Sequence, residues 1–150
     1  MGESKIKTKQ FLYRNLIKWK SEKRGLLSAP GRPDLEIAAP VEFKGHEGIW
    51  TPEDLFVASV NSCIMTTFLH YAQRDNFNFL RYESQAEGVL ELAEGRLIFS
   101  VIEVRPVIFI KRDLDIQKAK ALIELSEKNC LISNSMKCEI KVLPEVKIEL

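Results

Sequence analysis

Thr51-Pro52-Glu53-Asp54-Leu55-Phe56-Val57-Ala58-Ser59-Val60-Asn61-Ser62-Cys63 opens the longest mostly apolar run of the chain, and its reading decides the fold. Thr51 suits an N-cap, Pro52 suits the first helical position, and Glu53 and Asp54 suit the positive end of a helix dipole. Thr51 and Asp54 have capping-box spacing, with Asp in place of Glu. The pattern predicts a helix from this start to about Gln73. Leu55, Phe56, Val57, Ala58, Val60, Ile64, Met65, Phe68, Leu69 and Tyr71 leave it apolar on nearly every side. Such a helix is covered on each face. One sheet covers one face, so a partner is expected on the other.

On the N-terminal side, Gln10–Lys20 alternates, with Phe11, Tyr13, Ile17 and Trp19 on one face, and reads as a half-buried strand. Ala29-Pro30-Gly31-Arg32-Pro33 is a turn, Leu35–Ala38 a short strand, and Val41–Trp50 a loop. On the C-terminal side, Phe79–Leu92 and Arg96–Ile110 read as two long strands joined by a hairpin turn at Ala93-Glu94-Gly95. Pro106 points to an edge or a bulge. A second helix is expected over about Asp115–Lys128, with Ile116, Ala119, Ala121, Leu122 and Leu125 as its apolar set. Asn129–Lys137 reads as irregular or briefly helical, and Glu139–Leu150 as a closing strand. Strands in two groups with helices between them give an α+β fold, read as a single domain over 1–150.

The totals agree. With 150 residues, 45% of them apolar, the chain can bury one core. A net charge of +1 argues against a nucleic-acid binder, although Met1–Arg24 holds eight Lys/Arg against Glu3 and Glu22. The polar N-terminus lacks a secretory h-region, and Met-Gly-Glu-Ser-Lys-Ile lacks the Ser/Thr that N-myristoylation needs. Leu55–Tyr71 is interrupted by Asn61, Ser62 and two threonines, so it does not read as membrane-spanning. Three cysteines without a signal fit a cytoplasmic protein whose thiols are catalytic, metal-binding or buried.

Cys63 lies mid-helix beside Phe56, Ser59, Val60, Thr67 and His70. Alone, it reads as a buried core thiol. It sits too far from Thr51 to use the helix dipole, and no Lys, Arg or His lies three or four positions away. An activating cation has to come from elsewhere. Cys130 follows the second helix among small polar residues, a position that favours exposure. Cys138 reads as structural. Cys63, Cys130, Cys138, His46 and His70 show no metal-ligand spacing, so no metal is expected.

Thr51-Pro52-Glu53-Asp54-Leu55-Phe56 followed by Ser62-Cys63 resembles the signature of the OsmC/Ohr family (osmotically inducible and organic hydroperoxide resistance proteins): a Gly-containing loop, a Pro-Glu-x-Leu helix start and a Cys ten residues after the Glu. Cys130-Leu131-Ile132-Ser133-Asn134 resembles the family's second-Cys motif, and the resemblance runs from about Arg24 to Ile148. The chain departs from it at Lys44-Gly45, where many members have Gly-Gly, at Leu131, where Pro often stands, and in having Cys138.

The resemblance implies antiparallel sheets wrapped around buried central helices in an intertwined homodimer. It implies a cytoplasmic antioxidant enzyme, a Cys-based hydroperoxide reductase without cofactor. Cys63 would be the peroxidatic thiol and Cys130 the resolving one, with an organic hydroperoxide as substrate and a thiol reductant, such as a lipoylated protein, as partner. It also implies an activating Arg from the N-terminal region, held by Glu53. Arg24 fits best, with Arg32 as the alternative. Ten residues of helix put Glu53 roughly 15 Å from Cys63, so one Arg joins them only across a subunit interface. An OsmC-like protein that binds a hydrophobic ligand or senses redox state, with little turnover, is the competing expectation.

Overall fold

The computed structural model describes residues 9–150; the first residues of the basic N-terminal stretch, and with them the myristoylation reading, lie outside the described residues. The chain forms two compact units, Met1–Pro52 and Glu53–Leu150.

In the first unit, β1 (Leu16–Ser21), β2 (Arg24–Ser28) and β3 (Leu35–Ala38) make an antiparallel sheet in the order β1-β2-β3. The expected strand from Gln10 is shorter at its start: only Leu16 onward pairs with β2, from Leu16↔Ser28. Its apolar face is also not half-buried. Phe11, Tyr13, Ile17 and Trp19 all stand more than half exposed, and Phe11 and Tyr13 precede the paired strand. Glu22 takes a left-handed φ of 51° in the tight turn to β2. The Val41–Trp50 loop contains a 3₁₀ turn at Val41–Phe43, and its end returns to β3 through Ala38 N–H to the Trp50 carbonyl, 3.0 Å.

The second unit starts with helix α1 (Pro52–Arg74), as the capping residues predict. By length and composition this helix could cross a membrane. Here one stripe, Val60, Ile64, Phe68 and Ala72, is buried in the core at helical spacing. The other apolar positions are half-buried or, at Leu69, exposed. Beneath α1 lies the hairpin of β4 (Arg81–Ala93) and β5 (Arg96–Ile110). Glu94 and Gly95 both have positive φ, as a two-residue hairpin turn requires. Gly88 of β4 is needed for close approach: a Cβ there would lie 2.6 Å from Val57 of α1.

Pro106 is neither at an edge nor in a bulge. It is buried in β5, which is paired on both sides. The expected closing strand is split into β6 (Glu139–Val142) and β7 (Glu145–Ile148), both parallel to β5. β6 pairs as far as Val104 and β7 resumes at Val107, so Pro106 falls opposite the break around Pro144, where no ladder donor is needed. The bulge lies instead where Val89 pairs Val101 and Leu90 pairs Phe99.

Helix α2 (Ile116–Asn129) buries Ala119, Leu122, Ile123 and Ser126. Ile123 and Ser126 replace the expected Ala121, which is exposed, because the buried face is turned by about one residue. The architecture is thus α+β, with antiparallel pairing dominant and a parallel C-terminal edge.

Candidate functional site

Cys63 is half-buried on α1, one position before the buried Ile64. Its carbonyl oxygen accepts the Thr67 hydroxyl at 2.7 Å and the Thr66 hydroxyl at 3.1 Å. Its sulfur lies 3.9 Å from Thr67 Oγ1. Ser59 and Ser62, on the preceding turn, donate to the carbonyls of Phe56 and Ala58, each at 2.7 Å. These hydroxyls satisfy backbone acceptors, a frequent use of Ser and Thr inside helices.

Cys130 follows α2 and is fully buried, contrary to the exposure expected at a helix end. The reason is the turn that follows. Ser133 donates its backbone N–H to Cys130 Sγ at 3.5 Å and its hydroxyl to the Cys130 carbonyl at 3.1 Å. The Asn134 backbone N–H reaches the same carbonyl at 3.0 Å, and its side chain donates to the Lys128 carbonyl at 3.2 Å. Cys130-Leu131-Ile132-Ser133-Asn134 is therefore a C-terminal cap. It satisfies carbonyls that α2 would leave open and folds the thiol back into the core.

The two thiols share one core. Burial pushes the Cys130 thiol above its ordinary value, the Ser133 N–H opposes that, and the neighbouring Cys63 thiol raises it further. Neither cysteine is bridged in this structure. Cys138 is half-buried against the same core. It lines an open groove of about 830 Å³ together with Lys128, Ser133 and Asn134.

The remaining candidates are described within their own units. Arg24, on β2, donates Nη2 to Ser21 Oγ at 3.1 Å and lies 3.8 Å from Glu22, while its Nε is buried without a partner. Arg32 is exposed and donates to the Pro30 carbonyl of its own turn at 3.0 Å. His46 lies 3.5 Å from Glu22. In the second unit, Glu53 stands in the first turn of α1 with Oε2 buried and unpartnered. His70 is exposed and edge-on to Tyr71. The sequence placed Thr67 beside Cys63 by its offset of four but gave it no role.

The model of OsmC-like proteins matches residues 45–145. The chain belongs to the OsmC-like protein family. Among OsmC-like solved structures, a protein of unknown function from Vibrio cholerae O1 biovar eltor superposes with a TM-score of 0.80 at 21% identity, over 90% of this chain and 99% of that one. An organic hydroperoxide resistance protein OsmC from Legionella pneumophila gives 0.70 at 23% identity, over 92% and 99%. By sequence, the uncharacterized protein YmaD of Bacillus subtilis is 21% identical over 117 residues, covering 76% of this chain and 78% of its own. An uncharacterized protein of Methanocaldococcus jannaschii is 30% identical over 93 residues, 61% of this chain and 47% of that protein, so the match spans about half of its length.

The state of Cys130 gives a pH dependence. Its proton is held to higher pH in the folded protein than in the unfolded chain. Above the ordinary thiol value of 9.0, the unfolded chain therefore binds fewer protons and unfolding is favoured. Reduced protein should keep this contribution at neutral pH and lose it progressively in alkali. Urea midpoints across that range should fall more steeply for the wild type than for Cys130→Ala.

Proposed function

We propose that this chain is a thiol-dependent peroxidase that reduces organic hydroperoxides through Cys63 and Cys130. The packing of these two thiols, which come from distant motifs of the chain, against one core carries the reading. Several solved relatives are named organic hydroperoxide resistance proteins, which supports it.

The Cys63 thiolate attacks the outer peroxide oxygen. The O–O bond breaks, the leaving alkoxide takes a proton to become an alcohol, and Cys63 becomes a sulfenic acid. Cys130 sulfur then attacks the Cys63 sulfur. Hydroxide leaves and takes up the Cys130 proton as water, and a disulfide forms. An external dithiol, such as a lipoyl group, reduces the disulfide by two exchange steps and is itself oxidised. No metal or organic cofactor enters this cycle. The groove beside Ser133 and Cys138 offers the reductant an approach to the Cys130 side.

Arg24 supplies the cation that the Cys63 neighbourhood lacks, and Glu53 holds it. The support is that Arg24 Nε and Glu53 Oε2 are both buried without a hydrogen-bond partner. Glu53 and Cys63 lie on one continuous helix. Ten residues at 1.5 Å each put them roughly 15 Å apart, so one guanidinium cannot serve both within a chain. The reading is therefore a cytoplasmic homodimer of single-domain subunits, in which Arg24 and Glu53 meet Cys63 of the partner subunit. The bare apolar face of β1 and the exposed Leu69 of α1 are surfaces that a second copy would cover.

Steady-state reduction of cumene hydroperoxide by dihydrolipoamide tests the reading. Cys63→Ser should abolish turnover, and Cys130→Ser should complete one oxidation without efficient recycling. Arg24→Met should lose about 10²-fold or more in rate, as for removal of one charge-stabilising donor, while Arg32→Ala stays near wild type. Wild-type activity in Cys63→Ser would overturn the mechanism. Sedimentation at micromolar concentration should give a dimer, and an active monomer would remove the interface assignment.

A further inference from the structure

We infer that Thr67 is a positioning residue for Cys63, accepting its S–H and so leaving the sulfur's lone pairs free to face Cys130. The hydroxyl of Thr67 has one hydrogen. At 2.7 Å from the Cys63 carbonyl oxygen, which can only accept, that hydrogen is committed to the backbone. Toward the Cys63 sulfur, 3.9 Å away, Thr67 Oγ1 therefore presents lone pairs alone. The neighbouring hydroxyls offer no alternative donor. Thr66 donates to the same carbonyl at 3.1 Å, and Ser59 and Ser62 donate to carbonyls one turn earlier.

The other side of Cys63 has the matching polarity. The Ser133 N–H donates to Cys130 sulfur, and Cys130, packed in the same core as Cys63, retains its proton through burial. On one side the Ser133 amide donates to Cys130; on the other, Cys63 donates to Thr67 and Thr67 to a carbonyl that ends the series. Thr67 sets that direction because its hydrogen is already used. Without its oxygen, the Cys63 S–H has no acceptor of its own and competes with Cys130 for the space between the sulfurs. Thr67 thus keeps the resting sulfhydryl aimed along the helix.

This inference deepens the reading of Cys63 as the reactive sulfur, but it concerns the reduced protein before any peroxide arrives. The test uses the reduced full-length chain. Thr67→Val keeps the side-chain shape and removes the oxygen, and Thr67→Ser keeps the hydroxyl. Two readouts apply: the infrared S–H stretch assigned to Cys63 by difference against Cys63→Ser, and alkylation of Cys63 by iodoacetamide, followed by peptide mass analysis. In Thr67→Val the Cys63 band should move to the higher frequency of an unbonded S–H. Alkylation at neutral pH should accelerate about twofold to tenfold, the factor that one net hydrogen bond commands. Thr67→Ser should keep the wild-type band and rate. Thr67→Ala repeats the readout should valine strain the helix. An unmoved band, or slower alkylation in Thr67→Val and Thr67→Ala, overturns the inference, because Thr67 would then be a bystander or a donor to the thiolate. Neither readout uses peroxide, so failure here leaves the peroxidase reading standing, and failure of the peroxidase assay leaves this one standing.

Discussion

The burial of Val60, Ile64, Phe68 and Ala72 against the β4–β5 hairpin is the constraint on which the rest of the second unit depends. These positions fix the rotation of α1, and that rotation decides where its neighbours go. Ile64 and Phe68 are fully buried, and side chains of this size contribute roughly 1.5–3 kcal/mol each by leaving water. Cys63, adjacent to Ile64, is placed at the margin of the core, half in contact with it and half outside. A turn of the helix by one residue would bury it completely or expose it completely. Gly88 belongs to the same constraint, because any side chain there would push Val57 and the helix away from β4.

The second constraint is the cap of α2. A helix end leaves carbonyls that need partners, and Ser133 and Asn134 provide them. In doing so they bend the chain back so that Cys130 enters the core beside Cys63. The same few residues therefore end a helix, bury a thiol and present it to a second thiol. Burial explains why Cys130 holds its proton. In the proposed cycle, a thiol that stays protonated at rest would not compete with Cys63 for peroxide and would act only once Cys63 had been oxidised. The order of events in the proposed cycle follows from the unequal burial of the two sulfurs.

Much of this was legible in the sequence where local chemistry decides structure. Thr51-Pro52-Glu53 announced the start of α1, Glu94-Gly95 announced the hairpin, and β3 and β5 end where their patterns end. The errors arose where distant parts of the chain decide. The alternation from Gln10 is real, but residues before Leu16 have no partner strand to pair with. Pro106 looked like an edge residue because its tolerance depends on a break in a neighbour that is distant in sequence. Cys130 looked exposed because its local context is polar, whereas its burial depends on the turn folding it inward. Both cysteines, and their pairing, were legible only through their motifs, because local spacing cannot show that α1 and α2 share one core. The part played by Thr67 could not be read from spacing alone, since it depends on where one hydroxyl hydrogen goes.

In the proposed cycle Arg24 and Glu53 would carry the remaining chemistry, and Arg24 Nε and Glu53 Oε2 are each buried without a hydrogen-bond partner. The sulfur pair is the more direct test of the account. Reduced protein should be treated with one equivalent of cumene hydroperoxide, quenched by alkylation, and mapped by non-reducing peptide mass spectrometry. The account predicts a single intramolecular Cys63–Cys130 disulfide, with Cys138 alkylated as a free thiol. Over-oxidised Cys63 beside free Cys130, or a disulfide that pairs Cys138 with either of the others, would contradict it.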